Sequence, residues 1–179
     1  LYYSKKYNLL VLLSEFIIPM DLVQEMSEAL LDFAKKNKVR QIISLGSISI
    51  KGEQDTVYVI TSDHKRLAKL FKGMDDVEII KEGATTGVTA MLLAEGMLQK
   101  IPIISLLAEA HAEYVDPRGA SMVIKVLNRL LDLNINTREL DREAEEIDKQ
   151  MKAIIEKSKE IQKRYKERER HISAESIYQ

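Results

Sequence analysis

The sequence predicts an α/β fold with a mixed, largely parallel sheet flanked by helices, followed by one long C-terminal helix. Up to about residue 133, short apolar runs typical of β-strands alternate with longer amphipathic patterns typical of helices. This alternation is characteristic of a parallel sheet covered by helices. After Thr137 the pattern changes to a charged stretch without Gly or Pro, which predicts a single uninterrupted helix.

Five apolar runs are the candidate strands. They lie at residues 9–13, 39–49, 57–62, 76–83 and 101–110. The run from Leu9 to Leu13 is continuous rather than alternating, which is typical of a strand covered on both faces. This run is therefore predicted to be buried.

Four segments between and after these runs are the candidate helices, at residues 20–38, 64–71, 85–101 and 116–133. In the first of them, apolar residues recur at helical spacing and predict the buried face: Leu22, Met26, Ala29, Leu30 and Phe33. In the last, Asp116 is predicted to cap the helix, with Pro117 at its first position.

The C-terminal stretch carries a heptad seam, in which steps of four and three residues alternate. The apolar residues that we assign to helix packing or oligomer contacts are Leu140, Ala144, Ile147, Met151, Ile154 and Ile161. Because polar Ser158 and Arg168 interrupt the seam, two interpretations stay open: a coiled coil between chains, or a helix that folds back on its own domain. The predicted domains are an α/β core at 1–135, a charged projecting helix at 136–170 and a flexible tail at 171–179.

Composition excludes several classes of function. The 179 residues include no Cys and carry a net charge of −1, so we expect neither thiolate metal or redox chemistry nor a field that attracts nucleic acid. No apolar run is long enough to span a bilayer. The expectation is a cytoplasmic protein without a cofactor and without a nucleic-acid or membrane partner.

Signals of enzymatic chemistry are few. The segment EGATTGV at 82–88 follows a predicted strand and opens a predicted helix, where backbone N–H groups can hold an anion. It matches neither the phosphate-binding loop nor the dinucleotide fingerprint, and a plain turn with a helix cap is the simpler interpretation. Glu109, His111 and Glu113 alternate and would share one face of a strand. A metal site there is one interpretation, and the end of a strand is the other.

The segment from Glu82 to Met151 resembles the proteasome-assembly chaperone family, specifically its archaeal members. Four features carry the resemblance in this order: the turn at Gly83–Gly87, Leu107–Glu109 at a strand end, Asp116–Arg118 at a helix start, and Leu133–Ile135 in the connection that follows. The resemblance extends over about residues 9 to 150. It implies a core similar to that of nucleoside phosphorylases, without an established catalytic site and therefore not an enzyme.

The resemblance also implies partners. Members of this family associate with one another, so a homo-oligomer of four or five subunits is expected, and they associate with proteasome α-subunits. The family usually begins with a further strand and helix, so we expect the chain to be truncated before Leu1.

The last three residues, Ile177, Tyr178 and Gln179, resemble the hydrophobic–tyrosine–any-residue terminus that proteasome activators insert between α-subunits. In that docking, Ile177 buries its side chain, Tyr178 adds area and a hydroxyl, and the Gln179 carboxylate pairs with a lysine. The alternative function is an enzyme of nucleoside-phosphorylase-like fold that binds an anion or nucleoside at EGATTGV.

Overall fold

The computed structural model describes residues 1–49, 56–82, 85–110 and 117–175; most side chains after Met151 and that of Arg66 lie outside the described set. The chain divides into two compact units, Leu1–Thr137 and Arg138–Gln179. Within the described ranges, no helix is both long enough and apolar enough to cross a membrane.

In the first unit, the described residues form six strands and four helices. The strands are β1 (Tyr2–Ser4), β2 (Leu9–Val11), β3 (Ile42–Ser49), β4 (Val57–Thr61), β5 (Val77–Ile79) and β6 (Ile103–Ala110). The helices are α1 (Val23–Lys36), α2 (His64–Leu67, continued by a 3-10 turn to Phe71), α3 (Gly87–Gln99) and α4 (Pro117–Leu131). The described part of the second unit is a helix, α5 (Arg138–Glu175).

The main sheet has the order β3-β6-β4-β5. β3 runs parallel to β6, β4 runs parallel to β5, and the two pairs meet in an antiparallel contact between β4 and β6. Two of the three contacts are therefore parallel, and helices pack on both faces of the sheet. The predicted α/β fold with a mainly parallel sheet is confirmed.

Alternate residues of the central strand β6 supply the core on the two faces of the sheet. Ile104 and Leu106 pack with Val123 and Val126 of α4 on one face. Ile103 packs on the other face, in a cluster formed with these residues of α1 and α3: Leu31, Leu92 and Leu93. β6 is apolar on both faces because helices cover both of them.

Ser62 fixes the end of β4 to the connection between α3 and β6. Its hydroxyl donates a hydrogen bond of 2.9 Å to the carbonyl of Ile101 and accepts one of 2.9 Å from the backbone N–H of Ile103. Both of these backbone groups lie just where β6 begins. A single buried hydroxyl thus satisfies a donor and an acceptor that the sheet leaves unpaired.

The run at residues 9–13 is not buried, contrary to the prediction. Leu9–Val11 forms only a short antiparallel ribbon with Tyr2–Ser4, and Leu12 and Leu13 are exposed. A two-stranded ribbon leaves most of its side chains in water because neither face is covered by another layer.

The predicted buried face of α1 is also wrong. The side chains that this helix buries are Val23, Ser27, Leu31 and Ala34, whereas Leu22, Met26, Ala29 and Phe33 are exposed and Leu30 is half-buried. Ser27 is tolerated inside because its hydroxyl donates a hydrogen bond of 2.7 Å to the carbonyl of Val23. A polar residue such as Ser27 can therefore lie on the buried face of a helix when its hydroxyl bonds to the helix backbone.

Candidate functional site

The segment that leads into α5 is held by a side chain of α4. Asn128 donates a hydrogen bond of 2.8 Å through Nδ2 to the carbonyl of Ile135, and its Oδ1 accepts one of 3.0 Å from the Ile135 N–H. The amide thus pairs with the backbone as a neighbouring strand would. Leu133 is buried just before this point, so the end of the first unit is anchored to α4 as far as Ile135.

α5 is 38 residues long, which corresponds to about 57 Å at 1.5 Å per residue. Three features of the sequence favour one uninterrupted helix. It has no Gly or Pro, Glu139 and Asp141 lie in its first turn where the helix dipole favours acids, and acid-first pairs such as Glu145 with Lys149 stand one turn apart. The helix is therefore stabilised along its length by local interactions.

The six seam residues of α5 lie on one side of the helix because their spacing follows the heptad. Their burial falls along the helix. Ala144 is only 2% exposed, Leu140, Ile147 and Met151 are half-buried, and Ile154 and Ile161 are 58% and 54% exposed. The second half of the seam thus presents apolar side chains that the chain itself does not cover.

The three residues predicted to dock, Ile177, Tyr178 and Gln179, lie outside the described residues. The helix is described up to Glu175. The docking residues accordingly follow α5 after a single intervening residue, Ser176.

The candidate anion site is only partly described, since Gly83 and Ala84 of EGATTGV lie outside the described residues. α3 begins at Gly87, whose φ is +72°. Thr86 stands at the N-cap, but its side chain makes no capping hydrogen bond. In the first turn, the hydroxyl of Thr89 is instead hydrogen-bonded to that of Ser44 at 2.6 Å.

Of the three candidate metal ligands, Glu109 lies in the described part of the chain. Glu109 is buried, and its carboxylate accepts a hydrogen bond of 3.2 Å from the backbone N–H of Thr56. His111 and Glu113 lie outside the described residues. Among the residues that the structure describes, no group of three or more His, Cys, Asp or Glu side chains is placed to hold a metal ion.

Sequence reasoning missed one exposed surface. It placed Leu22, Met26 and Phe33 in the core, and the structure leaves each of them more than a third exposed. The hydrophobic periodicity identified an apolar stripe correctly but could not tell whether that stripe or its neighbour faces the sheet.

The comparison with protein families decides the classification. The model of the PAC2 family matches residues 1–155. The chain belongs to the PAC2 family. This match and the structural similarities described next confirm the predicted relationship to archaeal proteasome-assembly chaperone homologues.

The relatives compared below come from archaea. An uncharacterized protein of Methanocaldococcus jannaschii, MJ0106, is 29% identical over 143 residues, which make up 80% of this chain and 58% of that protein. The crystal structure of Pyrococcus furiosus PbaA, an archaeal homolog of proteasome-assembly chaperone, is similar with a TM-score of 0.68 and 29% identity. That similarity covers 87% of this chain and 65% of PbaA.

A second similar structure is P. furiosus PbaB, an archaeal proteasome activator, with a TM-score of 0.61 and 27% identity. It covers 73% of this chain and 57% of PbaB. The chain thus spans less than two thirds of the length of each of these three relatives.

Proposed function

We propose that this protein is a non-enzymatic, cytoplasmic, oligomeric proteasome-binding protein, an assembly-chaperone homologue or activator. In this proposal, Ile177, Tyr178 and Gln179 dock in pockets between proteasome α-subunits. The observation that carries the proposal is α5: a helix of 38 residues that leads to a hydrophobic–tyrosine segment. The similarity to PbaA and PbaB supports the choice of partner.

Docking through this segment has a simple physical basis. Full burial of an isoleucine side chain contributes about 1.5–3 kcal/mol, and every 1.4 kcal/mol changes an affinity about tenfold. The proposal requires that Gln179 carries the free carboxylate, because that group makes the charge-assisted bond with a pocket lysine. One tail alone therefore binds weakly.

An oligomer compensates for weak individual tails. The exposed Ile154 and Ile161 on α5 support self-association in the manner of a coiled coil. The core that precedes α5 in the sequence is, in this proposal, similar to that of nucleoside phosphorylases. Several tails presented together to one ring gain about 10²–10⁴-fold in avidity. We propose four or five subunits.

A pull-down with archaeal proteasome α-subunits tests the proposal. Deletion of residues 177–179 is expected to abolish retention, whereas Ser173→Ala, near the end of α5, is expected to leave it unchanged. A short Gly-Ser extension after Gln179 is expected to act like the deletion, since it removes the terminal carboxylate from its position. Equal retention of all four proteins would rule out docking through the tail.

A further inference from the structure

α1 has an unusual distribution of apolar side chains, because a second apolar stripe runs beside the buried one on the same helix. One face packs inward through Val23, Leu31 and Ala34. The other, the outer stripe, consists of Leu22, Met26, Ala29 and Phe33, and its large members are 37–44% exposed. A surface helix ordinarily has one apolar face, so the outer stripe calls for a second partner.

The exposed apolar surface continues beyond the stripe toward the N-terminus. Phe16, Ile17 and Met20, in the segment leading into α1, are 82%, 95% and 76% exposed. Six large apolar side chains thus lie open within eighteen residues, from Phe16 to Phe33. The largest apolar patches on typical monomers cover about 300–600 Å², and larger ones mark interaction sites.

The spacing of the outer stripe selects a helix as the partner. The stripe advances from Leu22 by four, three and four residues, which is the step pattern of a heptad seam. On α5, the uncovered Ile154 and Ile161 are seven residues apart, as are Met26 and Phe33 on α1. The outer stripe of α1 and the second half of the α5 seam therefore have equal spacing and can face each other. Both are exposed within one chain.

Charges beside the two seams fit this pairing. Glu25 and Asp32 immediately precede Met26 and Phe33, so they flank the stripe on one side. On α5 the positions equivalent in the heptad are Lys157, which is exposed, and, seven residues later in the sequence, Arg164. If the two helices run antiparallel, the acids beside the α1 stripe and the bases beside the α5 seam lie on the same side of the contact. Each acid then faces a base.

A second α1 fits the same stripe less well. Two antiparallel copies of α1 would bring Glu25 of one copy beside Asp32 of the other, and would do so twice, so like charges would meet. Charges beside a seam decide partner choice and orientation in paired helices. The charge pattern therefore favours α5 over α1 as the occupant.

We propose that the outer stripe of α1 binds the second half of α5 from another copy of this chain, with the two helices antiparallel. Met26 then packs near Ile161 and Phe33 near Ile154, while Glu25 pairs with Arg164 and Asp32 with Lys157. This inference rests on the self-association part of the proposed function and is independent of proteasome docking. Each copy offers both a stripe and a helix, so the contact joins two different surfaces and can link copies into a closed ring if the rotation between them closes.

Charge reversal measured by sedimentation tests the pairing on the full chain. Glu25→Lys with Asp32→Lys, and separately Lys157→Glu with Arg164→Glu, are each expected to raise the concentration at which half of the protein is assembled by at least tenfold. Combining all four substitutions is expected to restore assembly to within about threefold of the unchanged protein. Two controls make the same charge changes away from the seams: Asp21→Lys with Glu28→Lys, and Lys149→Glu with Lys163→Glu.

The following results would contradict the proposed pairing of α1 with α5. A monomeric unchanged protein, or a monomer whose compactness responds to the same charge reversals, would mean that the helices do not pair between copies. Control pairs that weaken assembly as much as the test pairs, or a quadruple variant that stays dissociated, would exclude this register. A protein that assembles as described but does not bind proteasomes would leave the inference standing and refute the docking proposal.

Discussion

At the scale of single residues, three helices end in the same way although none of them ends on glycine. Lys38, Lys100 and Asp132 have φ values of 53°, 58° and 52°. In each case the N–H of the next residue bonds to the carbonyl five positions earlier: Val39 to Ala34, Ile101 to Gly96 and Leu133 to Asn128. This is the Schellman arrangement, which usually places glycine at the left-handed position.

Replacing Lys100 by glycine is expected to stabilise the protein. A left-handed conformation costs a residue with a Cβ about 1–2 kcal/mol, and glycine avoids this cost. The greater freedom of glycine in the unfolded chain offsets part of the gain. The expected gain in the free energy of unfolding is about 0.5–1 kcal/mol, measurable by urea denaturation.

Lys72→Gly is the matched control, because the φ of Lys72 is −63°. There glycine relieves no strain and is expected to lower the free energy of unfolding by about 0.5–1 kcal/mol. Destabilisation by Lys100→Gly would show that the cost of the left-handed residue has been overestimated.

The ion pair between Arg129 and Asp76 predicts a small dependence of stability on pH. The Arg129 guanidinium donates a hydrogen bond of 2.6 Å to the Asp76 carboxylate and holds the pKa of Asp76 below its ordinary value of 3.8. Because the folded pKa is the lower one, the stabilisation is present above pH 3.8 and is lost as the pH falls through the folded value. Both side chains are more than 40% exposed, so the contribution is about 0.2–1 kcal/mol.

Asp76→Asn measures this contribution. At pH 7, Asp76→Asn is expected to have a free energy of unfolding about 0.2–1 kcal/mol lower than that of the unchanged protein. This difference should shrink in 1 M salt and approach zero near pH 2. Asp75→Asn controls for removal of one negative charge in the same loop. A difference that grows toward acid pH would contradict the claim that the ion pair stabilises the folded protein only while Asp76 is ionised.

At the scale of elements, α1 shows how far sequence reasoning reaches. Periodicity predicted the helix and its apolar residues, but α1 has two apolar stripes, and the more hydrophobic one proved to be exposed. Small residues such as Ser27 and Ala34 lie on the buried face, where they allow close packing that their hydrophobicity does not signal. Which stripe faces the sheet depends on long-range packing.

The sheet shows a similar limit. Alternation of strands and helices predicted a largely parallel sheet, and the pairings of β3 with β6 and β4 with β5 are parallel. The antiparallel contact between β4 and β6 could not be predicted from local patterns, because strand order depends on contacts between segments that are distant in the sequence. The uncovered half of the seam on α5 and the outer stripe of α1 likewise emerged only from burial.

The uncovered half of α5 predicts a separation of stability from assembly. Ile154 and Ile161 are exposed within one chain, so Ile154→Ser with Ile161→Ser is expected to change the free energy of unfolding of the first unit by less than about 0.5 kcal/mol. The same change removes two apolar contacts between copies and should raise the assembly midpoint at least tenfold. Light scattering over a concentration series measures this midpoint.

Glu145→Ser with Lys149→Ser, on the other side of the helix, serves as the control and should leave assembly unchanged. If the two isoleucine substitutions lower stability but not the extent of assembly, the second half of the seam packs within its own chain.

At the scale of the whole molecule, the chain divides into an α/β unit and a separate helical unit that leads to the tail. Among the described residues, no group of three or more His, Cys, Asp or Glu side chains is placed to hold a metal ion. The division of roles that we propose follows this division of structure. In this proposal, the α1 stripe and α5 hold copies together, and the residues after Glu175 contact the proteasome. Sequence reasoning predicted the long helix and the candidate tail, whereas the receiving surface on α1 required the structure.

The dissociation constant for archaeal proteasomes, measured by interferometry with the assembled protein, tests the central claim most directly. Tyr178→Ala is expected to weaken binding by at least tenfold, because each ring of α-subunits loses the aromatic contact of several tails at once, while Ser176→Ala is expected to leave the constant unchanged. Equal dissociation constants for the unchanged protein and Tyr178→Ala, or no binding by either, would contradict the claim.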